Sequence, residues 1–211
     1  MQEQVNLDLM EFVEKNILPR YNAFGRSHGM EHVTRVIRNS LILARQAGAD
    51  INMAYTIAAY HDLGMEGPRA IHHITSGKIL MADIRLKKWF TTQQIQFMKE
   101  AVEDHRASSS HAPRSIYGKI VAEADRDLDP EIVFKRAILY GAEHYPSHSK
   151  EQMWERFRDH MEEKYATNGY IRLWIRNSPN EHNLTKIREI IADKSLLRDK
   201  FEKIYMQEFG V

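Results

Sequence analysis

The chain has no cysteine. Disulfides, thiolate nucleophiles and cysteine-based zinc sites are therefore excluded, and any metal must be held by His, Asp or Glu. It also lacks the run of about 18 apolar residues that a membrane span requires. The start Met1-Gln2-Glu3-Gln4 has neither the basic opening nor the apolar stretch of a secretory leader. A cytoplasmic chain with no membrane partner is expected. An excess of one charge is missing too: 30 basic residues face 29 acidic ones, spread evenly on either side of Tyr145, for a net charge of +1. Such a balance generates little field to gather polyanions, which disfavours nucleic acid as a partner. No GxxxxGKS/T loop and no Gly-x-Ser-x-Gly elbow occur. Their absence argues against ATP-driven phosphoryl transfer and against a serine nucleophile of the hydrolase type.

What is present is an ordinary globular composition in 211 residues, 43% hydrophobic and 28% charged, long enough to bury a core without covalent staples. Apolar residues recur at spacings of three and four while strict alternation hardly appears, so the expected class is all-α. The punctuation predicts helices over about Val5–Leu18, Met30–Ala47, Asn52–Leu63 and Ile71–Met81, then Gln93–His105 capped by Thr92. Further helices are expected from Ser115 to Ala124, from Pro130 to Tyr140, from Ser149 to Tyr165 and from Thr185 to Phe209. Tyr170–Ile175 alternates imperfectly and is assigned to helix. The segment from Glu143 to His148 marks the expected boundary, giving a helical domain over 1–145 and a helical extension over 146–211 that packs on the core. Shaping a pocket or making a homodimer contact are alternative roles for that extension.

Seven of the 11 histidines lie between His28 and His111. The pair His61-Asp62 ends an otherwise apolar, small-residue helix, a poor place to bury charge unless a divalent cation offsets it. A capping Asp beside a hydrogen-bonded core His is the alternative reading of that dipeptide. Upstream, His32 and Arg35 share a helical face beside Val33 and Val36. Downstream, Asp125 follows the apolar face of Ile120 and Val121. Three separated helices thus supply His, His-Asp and Asp, a mixed nitrogen and oxygen set that suits a hard or borderline divalent metal.

This order, with His32-Val33-Thr34-Arg35-Val36, His61-Asp62 and Ala124-Asp125-Arg126-Asp127 as its local sequences, resembles the HD-domain metal-dependent phosphohydrolase superfamily over about Tyr21 to Tyr140. The resemblance implies an HD-type helical bundle. It also implies one divalent ion (Mn, Fe, Co, Ni, Mg or Zn) on His32, His61, Asp62 and Asp125, with Asp125 preferred over Asp127 and Asp129. His72, four residues before Ser76, and His105 resemble residues that in some members bind a second metal or the substrate. A hydrogen bond to phosphate is the role expected of them here.

Metal-activated water attacking a small phosphate ester, with a nucleotide as the favoured class, is the activity that the resemblance implies. Asp62, Arg35 and His105 are then the catalytic candidates, and Lys78, Arg106, Arg114, Lys119 and His72 the phosphate-binding ones. The loop from His105 to Arg114 carries hydroxyls and two Arg that can grip an oxyanion, or is simply a solvated turn region. Glu103 and Asp104 are candidates for a general base, with surface roles as the alternative. The other readings are a phosphodiesterase for cyclic or dinucleotides, and a noncatalytic protein that binds a metal or nucleotide for regulation.

Overall fold

The computed structural model describes residues 4–25, 28–107, 109 and 111–210. Arg26 and Ser27, and the loop hydroxyls of Ser108 and Ser110, lie outside the described residues. Among those described there are ten α-helices and no strand, so the chain is all-α. They gather into two compact units, Met1–Arg126 and Asp127–Val211.

The first unit holds α1 (Leu7–Asn16), α2 (Met30–Ala47), α3 (Ile51–Tyr60), α4 (His72–Ala82), α5 (Thr92–Glu103) and α6 (Ile116–Ala124). At its centre is α3, whose residues are buried everywhere except at Asn52. A helix apolar all round must be enclosed, and α2, α5 and α6 pack against it. The Asp50 carboxylate caps it by accepting from the Asn52 and Met53 amides. On α2 the buried set His32, Val33, Val36, Ser40, Leu43 and Ala44 follows helical spacing, so its inward stripe begins with a histidine.

The second unit holds α7 (Pro130–His144), α8 (Lys150–Tyr165), α9 (Pro179–Ala192) and α10 (Lys194–Phe209). Its core is aromatic: Phe157 packs edge-on to Phe134 and beside Phe201, with Trp154 against both Phe157 and Phe201. Although α7 precedes the boundary read at 145, its Val133, Phe134, Ala137 and Ile138 belong to this cluster.

Several helix ends depart from the expected ones for local reasons. The first helix is shorter than Val5–Leu18, and Pro19 sits in a 3-10 turn over Leu18–Ala23 that buries Tyr21. The cap of α5 is Thr91 rather than Thr92, because Thr91 and Gln94 form the reciprocal capping box. That helix stops at Glu103, leaving His105 just beyond it. The last helical stretch opens at Pro179, not Thr185, with Ser178 as its cap, and it is broken at Asp193, whose side chain caps α10.

Tyr170–Ile175 is not helical. The Tyr170 and Ile171 amides donate back to the Glu163 and Lys164 carbonyls, folding the chain over the end of α8 and burying Ile171. Gly169 permits the reversal, since a Cβ there would lie 2.6 Å from the Lys164 carbonyl carbon and oxygen.

Candidate metal centre

Helix α3 ends inside the unit and so delivers His61 and Asp62 to the interior. Both are buried, His61 completely. Their backbone is held by Tyr21, whose hydroxyl donates to the Ala59 carbonyl (3.0 Å) and accepts from the Asp62 amide (3.3 Å). Burial raises the pKa of Tyr21 well above the usual phenol value, so it remains a donor. The next turn, Leu63–Glu66, passes close to α4. A Cβ on Gly64 would fall 2.1 Å from the His72 carbonyl oxygen and 2.7 Å from the Ser76 nitrogen. The Gly64 amide donates to the Ser76 hydroxyl at 2.8 Å. The small residue four places after His72 therefore lets the α4 backbone approach and sets His72 against Asp62.

Around Asp62 the side chains divide by carboxylate oxygen. Oδ2 lies 3.3 Å from His32 Nε2, 3.3 Å from His61 Nε2 and 2.8 Å from His28 Nδ1. Oδ1 lies 3.4 Å from both His72 Nε2 and His105 Nε2. Asp125 closes the first group, its Oδ1 3.2 Å from His32 Nε2 and 3.9 Å from His61 Nε2. The donor atoms of His32, His61 and Asp125, and those of Asp62, His72 and His105, are mutually close enough to hold a metal ion. Asp62 belongs to the second group and, through Oδ2 at 3.3 Å from His32 Nε2 and from His61 Nε2, borders the first as well, so one carboxylate serves both.

The tautomers are fixed by second partners. His61 Nδ1 is 2.7 Å from the Ala58 carbonyl, His72 Nδ1 is 2.7 Å from that of Arg69, and His105 Nδ1 is 2.6 Å from that of Val102. A carbonyl only accepts, so each of these rings carries its proton on Nδ1 and, when neutral, presents a lone pair on Nε2. His72 Nε2 and His105 Nε2 nevertheless face one another at 3.0 Å. Two lone pairs at that distance require a proton or a cation between them. In the metal-free protein a proton serves: Asp62 raises the pKa of His105 against the opposing effect of burial, while burial and the charge on His105 lower that of His72.

His32 is held differently. Arg35 Nη2 lies 3.0 Å from its Nδ1, and because a guanidinium only donates, Nδ1 accepts there and the metal-free ring keeps a proton on Nε2, which a metal bound at Nε2 would displace. Burial also disfavours its charge, whereas hydrogen bonds to Asp125 and Asp62 draw its pKa from 6.5 to about 9. Asp62 and Asp125 are both held well below the ordinary carboxylate range; burial opposes this, and the surrounding imidazoles outweigh it. The donor set is thus ionised oxygen plus imidazole nitrogen with no sulfur, which fits a hard or borderline divalent cation.

A pH dependence follows. The charge on His105 contributes stability that is whole below 6.5 and fades as pH rises through its raised pKa. A metal ion competes for the same nitrogen, so uptake at this set releases a proton. Affinity for Mn²⁺ is expected to climb about tenfold per pH unit from 6.5 until His105 is deprotonated. Calorimetric titration across that range, with proton release measured in parallel, checks it.

Of the expected site residues, the structure brings together His32, His61, Asp62, His72, His105 and Asp125, with Arg35 against His32. Arg106 follows His105, and its Nη1 donates to the Ala70 carbonyl beside the start of α4. Arg114 lies elsewhere: its side chain pairs with Asp104 (2.9 Å) and Glu103 (3.0 Å), and its amide donates to Asp104. Those partners also give Glu103 and Asp104 a structural engagement apart from the cluster. Lys78 on α4 is exposed and Lys119 on α6 half-buried, and neither is among the side chains touching the cluster. His28 and Tyr21 touch it without having been assigned a role. For His28 the one available signal is its place four residues before His32; for Tyr21 there is none.

Residues 29–128 match the HD domain family model, a span that contains all six clustered residues just named. No curated protein matches the chain. The crystal structure of a predicted HD superfamily hydrolase from an uncultured Thermotogales bacterium is 20% identical, with 74% of this chain and 86% of that chain covered and a TM-score of 0.48.

Proposed function

We propose, from the match of residues 29–128 to the HD domain family model, that the protein is a metal-dependent phosphohydrolase acting on a small phosphate ester, with a nucleotide as the favoured substrate. The observation that carries this reading is the pair of imidazole and carboxylate sets sharing Asp62, in which the Nε2 atoms of His72 and His105 converge at 3.0 Å. His32, His61, Asp62 and Asp125 would hold one divalent ion, and Asp62, His72 and His105 a second. Bound there, such ions supply a Lewis acid that polarises a phosphoryl oxygen and lowers the pKa of water.

The chain's own groups do the rest. The Asp62 and Asp125 carboxylates orient water for in-line attack on phosphorus and accept its hydrogen bond. The Asp125 side chain is 26% exposed, placing that carboxylate at the solvent side of the first set. Arg35, against His32, and Arg106, next to His105 in the chain, would offset charge spread over the phosphoryl group. Lys78, Arg114 and Lys119 are not needed for this arrangement.

A panel of nucleoside mono-, di- and triphosphates, cyclic nucleotides and dinucleotides, assayed with Mn²⁺ and with chelator, tests the proposal. Release of phosphate that needs the metal supports it; cleavage restricted to diesters moves the protein to the phosphodiesterase reading. Binding of nucleotides without turnover under every condition overturns the enzymatic reading in favour of a regulatory one.

A further inference from the structure

His28 lies one residue before the span matched by the family model, and its ring touches the one residue common to both donor sets. We infer that His28 is a positioning residue: its Nδ1–H, 2.8 Å from Asp62 Oδ2, pins the carboxylate so that its two oxygens stay divided between His32 and His61 on one side and His72 and His105 on the other.

The carboxyl torsion of an aspartate is soft and roughly two-fold, so an unpinned group exchanges its oxygens readily. Here the exchange is resisted at one oxygen by a hydrogen bond at the short, charge-assisted distance. The direction of that bond is settled by chemistry. A carboxylate that ligates a cation is ionised and only accepts, which leaves Nδ1 of His28 as the donor. A nitrogen bearing that proton has no lone pair for a metal, although His28, His32 and Asp62 are close enough to be a donor set themselves.

His28 is in turn seated by the chain before α2. Its amide donates to the Gly25 carbonyl at 3.0 Å, and its ring stands edge-on to His32 with centroids 5.6 Å apart. The side chain is 21% exposed while Asp62 is almost wholly buried, so the bond reaches from the solvent edge into the interior. Partners of this kind, which hold a ligating carboxylate rather than the ion, commonly change metal affinity by about 10- to 100-fold when removed.

The inference rests on the metal-binding reading, and one experiment separates the two. Mn²⁺ affinity is measured by titration, with the electron paramagnetic resonance of bound Mn²⁺, for wild type, His28→Ala and His28→Asn, together with the melting temperature of each metal-free protein. The amide nitrogen of Asn occupies the place of the imidazole Nδ1 and can donate the same bond, but it is a poor metal ligand. Expected are a loss of about 10- to 100-fold in His28→Ala, recovery in His28→Asn to within about threefold of wild type, and similar metal-free melting temperatures. Unchanged affinity in His28→Ala overturns the inference alone. Equal weakening in both variants also overturns it, because a ligating or packing ring would behave that way. A wild type that holds no Mn²⁺ overturns the metal reading and the inference with it.

Discussion

Asp62→Ala is expected to lower metal-dependent phosphate-ester hydrolysis by about 10³-fold or more, while the protein stays folded. The reason is placement. Oδ1 serves His72 and His105, and Oδ2 serves His28, His32 and His61, so one truncation removes an oxygen from each donor set. Metal catalysis is worth several kcal/mol of charge stabilisation, and about 4 kcal/mol corresponds to roughly a thousandfold in rate. Asp62→Asn separates charge from packing: it keeps the volume and one oxygen, and is expected to retain the fold while recovering little activity. The stability lost in either variant should fall short of the roughly 3–5 kcal/mol of a broken buried ion pair, because the imidazoles left without a counter-ion can shed their protons. Turnover and circular dichroism on the two variants measure both parts. Full activity in Asp62→Ala would remove Asp62 from the site.

Gly64→Ala is expected to combine a large loss of stability with loss of the second ion only. The added methyl would meet the His72 carbonyl at 2.1 Å and the Ser76 nitrogen at 2.7 Å. Both are backbone atoms, so no rotamer change relieves the overlap and α4 must retreat from the turn after Asp62. Overpacking of this severity costs about 3 kcal/mol, which corresponds to a fall of about 10 °C in the melting of the first unit. As α4 moves, His72 leaves Asp62, whereas His32, His61 and Asp125 stand on α2, on the end of α3 and on the end of α6. Metal analysis should therefore show the variant holding about one ion fewer than wild type. Ser76→Ala offers the milder contrast: it removes the acceptor of the buried Gly64 amide without adding bulk, at a cost of about 1–3 kcal/mol.

Much of this centre was legible in the sequence because it violates local expectation. A His-Asp pair at the end of an apolar helix, and an Asp directly after the buried face of α6, stand out against their surroundings without any knowledge of contacts. Helix ends defined by Gly48, Ser115, Pro130 and Ser149 were readable for the same reason, since their signals are local. What could not be read is tertiary or ambiguous. The bond from His28 to Asp62 spans 34 residues, and the spacing of His28 from His32 alone does not announce it. Arg114 looks like a free cation in a polar loop, but Asp104 and Glu103 lie at the end of the preceding helix and take it. Asp193 reads equally well as a residue inside a long helix and as the cap between two. The alternation in Tyr170–Ile175 records the burial of Ile171 in a reversed chain, not a regular element.

Metal content is the most direct test of the account. Wild type and Asp62→Ala, equilibrated with Mn²⁺, desalted and subjected to elemental analysis, should retain about two ions per chain and fewer than one, respectively. An ion-free wild type, or equal occupancy in the two proteins, would contradict a centre built on Asp62.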